Sequence, residues 1–162
     1  MSFKKGDKKV IKAWVMYDWA NSVYPLVITT AIFPLFYKSK VGSDSIVFGS
    51  QFDSVEIYSY AIAISLLIVS VLSPILSGIA DFSGSKKVFM RLFNYIGAGA
   101  CVSLFFWDYY PVEFGLAFCM IANVGFWGSL VFYNAYLPEI AEPKDHDRIS
   151  AKGFSMGYFG SA

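Results

Sequence analysis

Charge is what this chain has least of. Only 15% of its 162 residues are Asp, Glu, Lys or Arg, where soluble globular domains carry about a quarter. The deficit, with 56% hydrophobic residues, points to a membrane protein rather than to a large soluble core. A net charge of +1 argues against nucleic acid as a partner. The two cysteines, Cys101 and Cys119, both fall in apolar runs and have no His or Cys cluster beside them. Neither a disulfide framework nor a zinc site is implied. The one histidine, His146, sits in a charged connection and reads as a solvated loop residue. There is no Ser-His-Asp set, no phosphate-cradling glycine loop and no metal-ligand spacing. Nothing supports an enzyme, and no cofactor is implied. Internal repeats and low-complexity tracts are also missing.

Long apolar runs are abundant. Spans are expected at about 13–37, 57–80, 88–107 and 113–137, with a fifth run at 153–162 that ends before it can cross. A run of ~20 residues at ~1.5 Å each crosses a ~30 Å hydrocarbon core. The fold class is therefore all-α, a multi-pass transmembrane helical bundle behind a basic segment at 1–12. The cut fifth run suggests a piece of something longer. The first run is no cleaved signal peptide: its apolar core is too long, it contains Asp18, and no small-residue cleavage site follows.

Orientation follows from the cations. With the N-terminus cytoplasmic, Lys4, Lys5, Lys8, Lys9, Lys12, Lys86, Lys87, Arg91, Lys144, Arg148 and Lys152 are inside, and only Lys38 and Lys40 are outside. That is the positive-inside pattern. Segment 38–57 is then an external loop of mixed polarity. The outer turn "DYYPVE" makes spans three and four an antiparallel hairpin, its tyrosines and Trp107 suiting the interfacial aromatic belt. Inside lie the tight turn "DFSGSKK" and the longer charged connection 138–152. Small residues, among them Gly97, Gly125 and Gly128, let helices approach closely in lipid.

The stretch "AWVMYDWANSVYP" places Asp18, Asn21 and Ser22 inside the first span. At 3.6 residues per turn, Trp14, Asp18, Asn21, Pro25 and Thr29 form one stripe, too polar to face lipid. A charge near the bilayer centre costs roughly 2.5–3.5 kcal/mol on insertion scales, so it normally faces a cavity or a partner. Two readings stand: Asp18 lines a cavity, or it lies near the interface one turn past Lys12 and pairs with a lysine or a helix end. In the fourth span, Asn123, Trp127 and Asn134 lie near one face with Tyr133 beside it. They serve as substrate contacts or as hydrogen-bonding glue between helices.

The turn "SGIADFSGSKK", Ser77–Lys87, resembles the signature loop between helices two and three of the major facilitator superfamily. Ala80, Asp81, Gly84, Lys86 and Lys87 match, while Ser77, Phe82 and Ser85 depart from the pattern. The blocks "YDWANSVYPLVITTAIFPLFY" and "FYNAYLPEIAEPKDHDRISAKGFSMGYFGSA" extend the likeness to the vacuole-effluxer-like branch, from Ala13 to Ala162. That resemblance implies a twelve-helix major facilitator fold, of which these are helices one to four and the start of five. It also implies secondary active transport of a small solute by alternating access, with the C-terminal half of the same transporter as partner. Amino acids are a candidate solute, because fungal members are linked to amino-acid export from the vacuole. On this reading Asp18, Asn21, Trp14, Asn123, Trp127 and Asn134 face the substrate or coupling cavity, and protons join the solute and the lipid bilayer as partners. Asp81, Gly84, Lys86 and Lys87 form a cytoplasmic gating loop. The expected home is an integral membrane position, the cell membrane if the source is bacterial. A small oligomeric four-helix protein and a non-transporting receptor or scaffold are the alternatives.

Overall fold

A computed structural model describes residues 4–109 and 111–161. Tyr110, part of the expected aromatic belt, and Ala162, the end of the fifth run, lie outside the described residues. The first helical stretch opens with α1, Lys8–Asn21, capped by the Asp7 carboxylate, which accepts the Lys9 N–H at 2.8 Å. It continues as a π-helix over Tyr24–Ile32 and then as α2, Phe33–Val41. Pro25 stands at the start of the π segment, where its missing N–H is tolerated. The wider winding is visible in its bonds. Phe33 N–H donates to Ile28 O, and the Thr30 hydroxyl donates to Pro25 O at 2.7 Å, each across five residues.

Helices α3, Ser54–Ser83, α4, Lys86–Leu104, α5, Val112–Ile140, and α6, His146–Ser161, complete the helical set. Among the described residues, three helical stretches are long and apolar enough to cross a membrane: Lys8–Val41, Ser54–Ser83 and Val112–Ile140. The expected span 88–107 corresponds to the 19-residue α4, which opens with Lys86 and Lys87 and carries Arg91 one turn on.

Two connections differ from expectation. Segment 38–57 contains a β-hairpin, β1 (Asp44–Val47) antiparallel to β2 (Ser50–Asp53). Its turn residues Phe48 and Gly49 have φ of +50° and +79°, the left-handed pair that a two-residue hairpin turn needs. Glu113 accepts the Phe48 N–H at 2.9 Å. The charged stretch 138–152 is mostly helical: α5 runs through Pro138 to Ile140, and α6 begins at His146, ahead of Gly153. Polar residues in an exposed first turn cost a helix little, and an Arg148–Asp145 pair at 2.8 Å supports this one.

The chain divides into two compact units, Met1–Pro34 with Tyr133–Ala162, and Leu35–Phe132. In the first, α1 packs along α6 in the same direction, since Trp14 meets Gly153 while Asp18 and Ser22 meet Gly157. In the second, α4 and α5 touch backbone to backbone. A Cβ on Gly125 would lie 2.5 Å from Gly97 Cα. Ala80, Phe93 and Phe132 form a buried cluster there, with Phe89 and Phe93 stacked on Phe132 at 5.3 and 5.9 Å. At the hairpin end Trp107 is fully buried against Gly115, and Lys40 bonds both Trp107 O (2.7 Å) and Asp108 (3.0 Å).

Candidate functional site

The polar stripe of α1 lies against the glycine face of α6. Trp14 is buried, donates its indole N–H to Tyr133 O at 3.0 Å, and stacks on the Tyr133 ring with centroids 4.2 Å apart. Tyr17 stacks on the same ring at 5.1 Å. One α6 turn separates Gly153 from Gly157. A Cβ on Gly153 would stand 3.0 Å from the Tyr133 hydroxyl, and one on Gly157 would stand 3.1 Å from an Asp18 carboxylate oxygen. The Tyr133 hydroxyl and the Asp18 carboxylate thus line successive turns of one seam. Gly160 continues it against the Trp19 backbone.

Polar satisfaction is incomplete here. The Asn21 side-chain amide nitrogen and the Tyr133 hydroxyl are buried without a hydrogen-bond partner among the described residues. An unmade hydrogen bond on a buried polar group costs about 1–3 kcal/mol, so two such groups, one in the seam and one on α1 three residues after Asp18, need an explanation. Ser22 is satisfied locally, donating its hydroxyl to Asp18 O at 2.7 Å. Among the described residues Asp18 makes no ion pair, with Lys12 or with any other cation. The π segment begins three residues after Asn21, and π windings concentrate at functional positions.

The other candidate residues have separate surroundings. Asn123 is buried and donates its amide to Ser65 Oγ at 2.5 Å, while Ser65 donates to Ile62 O. Its amide nitrogen is engaged in joining α5 to α3. Trp127 and Asn134 are exposed. In the turn after α3, Gly84 takes φ +61°, which spares a side chain the left-handed penalty. Gly84 and Ser85 both donate N–H groups to Ala80 O and close the helix. Asp81 pairs with Lys86 at 2.7 Å, in the first turn of α4. Lys87 belongs to the same turn, and Phe82, where the superfamily pattern has Arg, is 98% exposed.

Sequence reasoning missed Tyr133 as a member of the Asp18 site, and it missed the glycines of α6 and Ser65. The glycines had a signal: Gly153 and Gly157 are four apart and Gly160 follows three later. Tyr133 had little, because the chain holds eleven tyrosines.

Residues 6–162 match the family described as vacuole effluxer Atg22 like. Over 149 residues the chain is 42% identical to YxiO, an uncharacterized MFS-type transporter of Bacillus subtilis (strain 168). The match covers 92% of this chain and 34% of that protein. The chain therefore spans about a third of its relative's length. No solved structure matches. The chain belongs to the vacuole effluxer Atg22-like family and carries the opening helices of its major facilitator fold.

Proposed function

We propose that this chain contributes the first helices of a secondary active transporter that moves a small zwitterionic solute, an amino acid, by alternating access. One observation carries the reading: among the described residues two buried polar groups lack partners, Tyr133 Oη in the seam that holds Asp18, and Asn21 Nδ2 three residues after Asp18 on α1. An amino acid supplies what they lack. Its ammonium would meet the Asp18 carboxylate, and its carboxylate would accept from the Asn21 amide and the Tyr133 hydroxyl. The stacked Trp14, Tyr17 and Tyr133 rings make a rigid apolar wall for the solute. Major facilitators bind at the midplane and rock rigid halves about it. A glycine seam between α1 and α6 suits sliding of that kind. With no ion pair among the described residues, the Asp18 carboxylate would exchange a proton or a solute ammonium during the cycle. Asn123, Trp127 and Asn134 are further candidate solute contacts on α5. Asp81, Gly84, Lys86 and Lys87 would form the cytoplasmic gate.

The test is Asp18→Asn in the transporter, reconstituted in proteoliposomes and assayed for amino-acid flux with and without a proton gradient. Flux should fall at least tenfold, and any residue of it should lose its dependence on the gradient. Unchanged flux with unchanged pH dependence would remove Asp18 from the mechanism.

A further inference from the structure

At the end of the molecule where α1 and α6 begin, a groove of about 630 Å³ opens between the two helices. We infer that it is a binding site for the phosphate headgroup of an anionic phospholipid. Four cationic side chains line it, Lys8, Lys12, Arg148 and Lys152, against one carboxylate, Asp145. That carboxylate is already held by Arg148 at 2.8 Å. Among the described residues, none of the three lysines forms an ion pair. Nearby Asp7 is turned to its own helix, accepting the Lys9 N–H. Glu142 is paired with Lys144 at 3.2 Å, outside the groove. The surplus positive charge is therefore local: among the described residues that line the groove, Asp145 is the sole carboxylate, and Arg148 already holds it.

The rest of the lining is apolar. Val15 and Ile149 are buried, and Ile11, Met16 and Met156 complete the wall. Cations at the mouth and hydrocarbon beneath match a phosphate with its glycerol and the first carbons of its acyl chains. A fully soluble anion would leave the apolar wall unused. The volume falls within the ~300–1,000 Å³ usual for small-molecule sites. Depth agrees: Lys12 abuts the apolar run and Lys8 lies about one turn before it, which puts their ammonium groups at headgroup level. The N-terminal turns of both helices also converge here, and their dipoles favour an anion. Basic pockets between transmembrane helices are known to take anionic headgroups.

The purified chain in detergent, titrated with phosphatidylglycerol or phosphatidylcholine and read by native mass spectrometry, tests the assignment. Phosphatidylglycerol should be retained roughly tenfold better or more, given the usual attraction per surface lysine. The double variant Lys12→Gln/Lys152→Gln should erase that preference. The control Lys5→Gln/Lys9→Gln removes the same charge outside the groove and should leave it intact, with helicity by circular dichroism unchanged in both. Equal retention of the two lipids overturns the site. So does equal loss in the two double variants, which would mean diffuse attraction only. Displacement of the lipid by millimolar inorganic phosphate would reassign the groove to a free anion.

Discussion

Gly125 and Gly157 both sit on helix seams, but they should not tolerate a methyl group equally. A Cβ on Gly125 meets backbone: Gly97 Cα and N at 2.5 Å and Phe93 O at 2.8 Å. Neither neighbour can rotate aside, so α4 and α5 would have to part, at a cost of about 1–3 kcal/mol for overpacking. A Cβ on Gly157 meets the end of a side chain, Ser22 Oγ at 2.8 Å, and Asp18 Oδ2 at 3.1 Å. Ser22 can turn away for the ~1 kcal/mol of one hydrogen bond, and alanine returns up to ~1 kcal/mol of helix propensity. Gly125→Ala should therefore lower the thermal unfolding midpoint in detergent by several degrees, while Gly157→Ala leaves it nearly unchanged. The reverse order would show that the seams are misassigned. At this scale the sequence was half legible. The α1 stripe exposed Asp18 and Asn21 because 3.6-residue periodicity puts them on one face. Tyr133 could not be singled out, because its role depends on which helix lies opposite, and periodicity within α5 does not encode that.

Among the elements, the turn from α3 to α4 is the most explicit piece of chemistry. Gly84 closes α3 in the left-handed conformation, and the short turn delivers Lys86 to Asp81 at 2.7 Å. The Asp81 side chain remains 59% exposed while that of Lys86 is 15% exposed, so the carboxylate keeps a face open to another partner. A pair this exposed contributes only about 0–1 kcal/mol to stability, which leaves a conformational role as the better use of it. Asp81→Ala should accordingly spare the unfolding midpoint while altering transport rate or the balance of inward and outward states. Rates and balance both unchanged would end the gate assignment. This turn was legible because its residues are local. The hairpin was not: Ser45 through Phe52 mixes apolar and polar residues too briefly for alternation to stand out, and the turn places Phe48 at φ +50°, where an aromatic side chain is a poor signal. The early start of α6 was hidden by the same locality, since "PKDHDR" reads as loop until the Arg148–Asp145 pair is seen.

For the whole molecule, the distribution of basic residues makes the strongest claim. Eleven of the thirteen Lys and Arg side chains belong to segments that alternate with Lys38 and Lys40 along the chain. Among the described residues three helical stretches have the length and apolarity to cross a membrane, and α4 lies between two of them in the chain. Its two lysines and Arg91 reduce its apolarity at one end only, the end that would lie at the cytoplasmic surface in the positive-inside orientation, where long side chains reach water. If α4 did not cross, α3 and α5 would run in opposite directions, and residues 107–109 would share a side with the Asp81 turn. Impermeant maleimide labelling separates these outcomes. In a background with Cys101 and Cys119 replaced by Ala, Lys38→Cys and Asp108→Cys should label on intact cells. Lys144→Cys and Ser83→Cys should label only after permeabilisation. Labelling of Ser83→Cys and Asp108→Cys from the same side would place α4 outside the set of spans. Inversion of all four positions would reverse the orientation while keeping the spans.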